Sequence, residues 1–180
     1  MTSVRAEAID SLIRDALTSL AGDPHVRNWP AKKHNWVNYF VFRHLLSSSR
    51  LHDVISDPAQ IAIECPVPQP PGYKTKTVRR DLVIWRTAGC SAWDAKWKPT
   101  CHPLAILEWT VHRPGHPKPN REVEYERKWL EDYCRQRPRE VVGYAIEVDA
   151  QENPTIVRCF RCLGDRADWR KPPWLERPCE

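Results

Sequence analysis

Residues Leu104-Ala105-Ile106-Leu107-Glu108-Trp109-Thr110-Val111 form a nearly continuous apolar run, interrupted only by a carboxylate and a hydroxyl. Such a run reads as a strand buried on both faces. A strand of that kind has to lie inside a sheet with layers above and below it, so the rest of the chain must supply helices for both sides.

The remaining segments fit that demand. Ile9, Leu12, Ile13, Ala16, Leu17 and Leu20 recur at helical spacing, and Gly22-Asp23-Pro24 ends the pattern. A second helix is expected over Asn35 to Ser48, with Trp36, Val37, Phe40, Val41, Leu45 and Leu46 as its apolar stripe. Strands are predicted over Ile61 to Cys65 and Val78 to Trp85, with Pro66 to Gly72 as a turn or extended loop between them. After the Leu104–Val111 strand, Asn120 caps a third helix that runs to about Arg137 and stops at Pro138. Val141 to Val148 and Thr155 to Arg161 read as two more strands. The expected architecture is α/β, a mixed central sheet flanked by helices, in one domain over residues 1–164. Residues 165–180, rich in Trp and Pro, show no period and are set apart as a C-terminal tail.

Composition removes several function classes. Six Gly in 180 residues, with no GxGxxG or GxxxxGK[ST] pattern, exclude the common phosphate-cradling loops. No run of 18 apolar residues is present, so neither a membrane span nor a membrane partner is expected. The first residues, Met1 to Glu7, have no apolar stretch of the secretory kind, and the expected location is cytoplasmic. Seven Cys, an odd number, then read mostly as free thiols. Cys159-Phe160-Arg161-Cys162 is a CxxC, but its only plausible second ligand pair, Cys90 with Cys101-His102, has no recognised zinc spacing. The net charge of +5 is compatible with a polyanionic partner.

The informative residues are acids in apolar strands. Glu64, Asp81 and Glu108 each sit in such a stretch, on three consecutive strands. Strand period puts Asp81 on one face with Val83 and Trp85, and Glu108 on one face with Ile106 and Thr110. Adjacent strands would bring the two carboxylates together, where they repel unless a proton or cation lies between them. Oxygen donors of this type suit Mg2+ or Mn2+, ions that activate water and polarise phosphoryl oxygens. The plainer alternative is that each acid pairs with a nearby base such as Arg79, Arg80 or Arg113.

The segments Glu64-Cys65-Pro66-Val67, Arg79-Arg80-Asp81-Leu82-Val83-Ile84-Trp85 and Ala105-Ile106-Leu107-Glu108-Trp109-Thr110-Val111 together resemble the core of the PD-(D/E)XK nuclease superfamily. The resemblance covers about residues 34–161. It implies a restriction-endonuclease-like core and metal-dependent hydrolysis of DNA phosphodiester bonds. It implies Asp81 and Glu108 as ligands of Mg2+ or Mn2+, the carbonyl of Trp109 as a further ligand, and Glu64 as an additional catalytic carboxylate. DNA is the implied partner, and a homodimer or a partner protein is compatible with it.

Two departures stand out. Many members carry a Glu on the helix before the first strand, where this chain has Lys33-His34-Asn35-Trp36, so His34 or Asn35 would stand in. Thr110 occupies the position of the family's Lys and cannot supply its cation. Lys128 on the third helix is the first choice to replace it, with Lys96 or Lys98 behind. The insertion from Thr87 to Pro103 mixes Trp93 and Trp97 with Lys96 and Lys98, which suits nucleic-acid contact or packing on the sheet. Arg113 and His34 complete the candidate nucleic-acid-binding residues. The alternative to an active or inactivated nuclease is a non-catalytic module that binds nucleic acid or protein on the same fold. A thiol or zinc module using Cys159 and Cys162 is a third reading.

Overall fold

A computed structural model describes residues 4–90, 101–116, 120–136, 141–163, 166–167 and 173–179. Lys96 and Lys98, with Trp93 and Trp97, fall outside these residues, as does Trp169. The chain is α/β. Helix α1 (Val4–Ala21) is followed by α2 (Lys33–Tyr39), which runs on into a π-helical turn over Phe40–Leu45. Strands β1 (Ile61–Pro68), β2 (Thr77–Ile84) and β3 (Ala105–His112) come next, then α3 (Asn120–Arg135). Strands β4 (Val142–Asp149), β5 (Ile156–Leu163), β6 (Arg166–Ala167) and β7 (Leu175–Pro178) complete the fold.

The strands form one mixed sheet in the order β1-β2-β3-β4-β5-β6, with β7 also paired to β5. Among the described residues only the β3–β4 pair is parallel, and α3 makes that crossover. The central position of β3 accounts for its apolar run: all its residues from Ala105 to Val111 are buried. One face packs on α1 and α2 through Leu82, Leu107, Trp109, Tyr144 and Ile146. The other packs on α3 through Val83, Ile106, Trp129, Leu130 and Phe160. The six periodic residues of α1, Ile9 to Leu20, are all fully buried. Asp10 fastens this helix to the sheet, accepting a hydrogen bond from the Tyr144 hydroxyl at 2.6 Å and pairing with Arg161 at 2.7 Å.

Several boundaries differ from the sequence reading, each for a physical reason. Strand β1 continues through Pro66 and Pro68, which pair with Arg79 and Thr77. It can do so because it is an edge strand, where a missing N–H leaves no ladder bond unmade. Of the segment set apart as a tail, β6 and β7 join the sheet beside β5. Leu175 and Cys179 are buried there, and the Trp174 ring lies 5.7 Å from that of Tyr144. Cys159 and Cys162 lie three positions apart on a strand and so face opposite cores, one under α1 and α2, the other under α3. Their sulfurs therefore do not converge on a common metal. Cys90 and Cys101 are joined as a disulfide, and the other five cysteines, all among the described residues, take part in no disulfide.

The β1–β2 hairpin has an irregularity that positions the site. Ile61, Ile63, Leu82 and Ile84 pack toward α1 and α2, whereas Cys65, Val67, Val78 and Arg80 turn toward α3. Both strands therefore skip one beat of their alternation, between Ile63 and Cys65 and between Leu82 and Arg80. The residues at the skip are Glu64 and Asp81, opposite one another. Glu64 takes it up with φ of 51°, in the left-handed region, at a cost of about 1–3 kcal/mol.

Candidate functional site

The ladder between β2 and β3 ends at the Leu82–Leu107 pair, and one step further the register sets Asp81 opposite Glu108. Glu64, Asp81 and Glu108 therefore occupy one row across three adjacent strands. Asp81 is 4% exposed, as is Glu108. Above this row opens a cavity of about 620 Å3, walled by α2 through Lys33 and His34 and by α3 through Arg121, Glu122, Tyr125 and Glu126. Arg79 and Arg80 line it from β2.

Each acid has a defined set of contacts. Asp81 receives the Trp109 backbone N–H on one oxygen at 2.8 Å and the Lys33 ammonium on the other at 2.7 Å. The side-chain hydrogen bond replaces the ladder bond lost where the strands part. Glu108 pairs with the buried Arg80 at 3.0 Å, and that guanidinium lies flat over the Trp129 ring at 3.8 Å. Glu126 of α3 accepts the Thr110 hydroxyl at 2.9 Å. Glu64, half-buried, meets His34 Nε2 at 3.1 Å.

Electrostatics follow from this crowding. Burial pushes the Glu108 carboxyl well above the usual carboxylate range; Arg80 pulls it back, and the charges of Asp81 and Glu126 add to the rise. Burial likewise raises Glu126, against the Thr110 hydrogen bond and the charge of Lys33. Burial alone would lower the Lys33 ammonium, but Asp81, Glu126 and Glu108 outweigh it and hold it above its ordinary value. The floor is a site with more carboxylate than nearby cation, and it favours added positive charge.

The residues predicted from sequence are placed as follows. Asp81, Glu108, Thr110, Glu64 and His34 meet at the cavity or its immediate floor. Trp109 contributes its backbone N–H, while its indole packs into the α1/α2 core, 5.2 Å from the Phe40 ring. Lys128 is not brought to this site: it lies on the exposed side of α3, paired with Asp132 at 3.2 Å. The cation that reaches Asp81 is Lys33 instead. Arg113 sits past the end of β3, in a bridge with His116, and does not line the cavity.

Lys33 and Glu126 are the residues that sequence reasoning missed; Arg80 was already named as a base that could pair with a strand acid, and it pairs with Glu108. Both missed residues left a legible signal. Lys33 stands three, four and seven positions before Trp36, Val37 and Phe40, on the buried stripe of α2. Glu126 has the same relation to Trp129, Leu130 and Tyr133. A charged residue on an apolar stripe needs a partner inside, and the two strand acids and Thr110 were available.

The donor chemistry, carboxylate oxygens in excess over nearby cations, fits a hard divalent ion such as Mg2+ or Mn2+. Among the described residues, no group of three or more His, Cys, Asp or Glu side chains is gathered closely enough to hold a metal ion as it stands. Lys33 contacts one oxygen of Asp81, and Arg80 one oxygen of Glu108. No helix of the described residues is long and apolar enough to cross a membrane. Comparison with family models, with curated proteins and with solved structures finds no match for this chain.

Proposed function

We propose that this chain is a metal-dependent nuclease that hydrolyses DNA phosphodiester bonds, on a restriction-endonuclease-like core. The observation that carries the reading is the row of Glu64, Asp81 and Glu108 under a cavity with cationic residues around it. The element order supports it as well: a helix, three antiparallel strands, a crossover helix, and a strand parallel to the third. Asp81 and Glu108 would hold Mg2+ or Mn2+, with Glu64 and Glu126 close by to balance charge. A divalent ion in that position supplies Lewis-acid activation of water and of a phosphoryl oxygen.

The chain's own residues do the rest. Lys33, 2.7 Å from Asp81, supplies the positive charge that Thr110 lacks, and orients what approaches Asp81. Thr110 fixes Glu126 through its hydroxyl. Arg79 and Arg121, exposed at the rim, hold phosphates on either side of the reacting one.

The test is Mg2+-dependent nicking of DNA by Asp81→Ala, which is expected to lose activity while keeping its fold by circular dichroism. Asp81→Asn serves as companion, since it leaves an acceptor for the Trp109 N–H. Full cleavage by both variants would sink the assignment. A second reading, a non-catalytic DNA- or protein-binding module, is favoured by the Arg80 contact on Glu108 and by Thr110. It requires that the wild-type protein bind DNA yet leave every substrate intact in both Mg2+ and Mn2+.

A further inference from the structure

We infer that the cavity receives an unpaired DNA strand, one base of which stacks on Tyr125. The inference rests on the nuclease reading and names the substrate class of that same site.

Three observations carry it. The first is depth. Asp81 and Glu108 are 4% exposed, at the bottom of an opening between α2 and α3. Its volume, about 620 Å3, lies within the ~300–1,000 Å3 of sites that enclose a small organic ligand. That admits one or two nucleotides of a single strand. A double helix is far broader, and its backbone cannot sink between two helices without parting from the complementary strand.

The second is an aromatic surface. Tyr125 lies on the cavity wall and is 52% exposed, one of two large side chains of its kind so exposed among the described residues. It is not a loose side chain. Tyr73 braces it at 6.2 Å with the rings at 70°, and Tyr73 is itself held by a hydrogen bond to Asp132 at 3.1 Å. An ordered, half-exposed ring is a stacking platform. Paired bases in a duplex have their faces already covered by neighbours, so only an unpaired base has a face to offer.

The third is spacing. Arg121 lies one helical turn before Tyr125 and therefore on the same side of α3. Among the described residues it has no ion-pair partner, and the same holds for Arg79 across the cavity. A guanidinium one turn from an aromatic ring matches the alternation of phosphate and base along one strand. Rim cations also offset the repulsion that a phosphate meets from the acidic floor.

The experiment measures binding of a short single-stranded oligodeoxynucleotide carrying 2-aminopurine, and of the blunt duplex of the same sequence, with Ca2+ in place of Mg2+. Expected are tight binding of the single strand with quenching of the 2-aminopurine, and weak binding of the duplex. Tyr125→Ala should weaken single-strand binding about tenfold and abolish the quench, while Tyr125→Phe retains both. Equal or tighter duplex binding, or undiminished binding by Tyr125→Ala, overturns the inference. Cleavage in Mg2+, assayed in parallel, separates the two readings. A duplex cut without single-strand preference ends this inference and leaves the nuclease reading standing. Single-strand binding with quench but no cleavage does the reverse.

Discussion

Replacing Lys33 with methionine keeps an apolar stem of nearly the same length and removes the terminal ammonium with its charge and hydrogen-bond donors. The ammonium lies 2.7 Å from an oxygen of Asp81, whose side chain is 5% exposed. At the effective dielectric constant of a protein surface, that separation corresponds to an attraction of ~6 kcal/mol. Stripping water from the ammonium and fixing a four-carbon stem offset a good part of this, and Lys33 keeps 29% exposure, so solvent screens the rest. The net loss expected for the metal-free variant is about 2–3 kcal/mol, below the ~3–5 kcal/mol of a fully buried pair broken by removing one partner, because Lys33 is part-exposed. In urea this lowers the unfolding midpoint by about 1 M.

Mg2+ should then act unequally on the two proteins. In the variant an Asp81 oxygen is uncovered, so the ion replaces the missing charge and stabilises the fold by more than it does the wild type. Urea titrations with and without MgCl2 provide the assay, with nicking activity followed alongside and expected to fall. An unchanged midpoint, or equal stabilisation of both proteins by Mg2+, would refute the assignment of Lys33 as the charge that balances Asp81.

Two other outcomes follow from the same geometry and from the sheet beneath it. Glu108 and Glu126 both have raised carboxyl pKa values, so on raising the pH the unfolded chain ionises them first, from about pH 4.3. Metal-free stability should therefore decline from that pH until the raised values are passed, and Glu126→Gln should flatten the decline; rising stability across the window in pH-dependent urea melts would contradict this. Gly143 on β4 faces α3, where a Cβ would come within 3.1 Å of Cys134 Sγ and 3.3 Å of Leu130 Cδ2. Gly143→Ala should accordingly cost about 1–3 kcal/mol by thermal melting, and a neutral result would mean that α3 shifts freely on the sheet.

The strands and the acids were legible in the sequence because both are local signals. Alternation over Ile61 to Cys65 marked the start of β1, continuous apolarity marked β3, and a carboxylate within either pattern is conspicuous at once. What escaped depended on distant parts of the chain. The prolines of β1 looked like a loop, because nothing local says that their strand would be an edge. The segment from Leu175 to Pro178 has too few residues to show a period, and only β5 gives it a strand's partner. The cation facing Asp81 could not be read from proximity along the chain. Lys128 is closer in sequence to the Glu108 strand, yet its position on α3 points it to Asp132, whereas Lys33 arrives from a helix that precedes all three strands.

The skipped beat in the β1–β2 hairpin has a mechanical consequence. Its inner half is anchored in the core under α1 and α2. Its outer half belongs to α3, which holds it through hydrogen bonds from Trp129 to Gln69 and from Tyr73 to Asp132. The hairpin is thus tied to helices on both faces of the sheet, with Glu64 and Asp81 at the change-over. Because Ala62 and Val83 of the inner half also pack in the α3 layer, the carboxylate row is clamped from both layers rather than carried by either one.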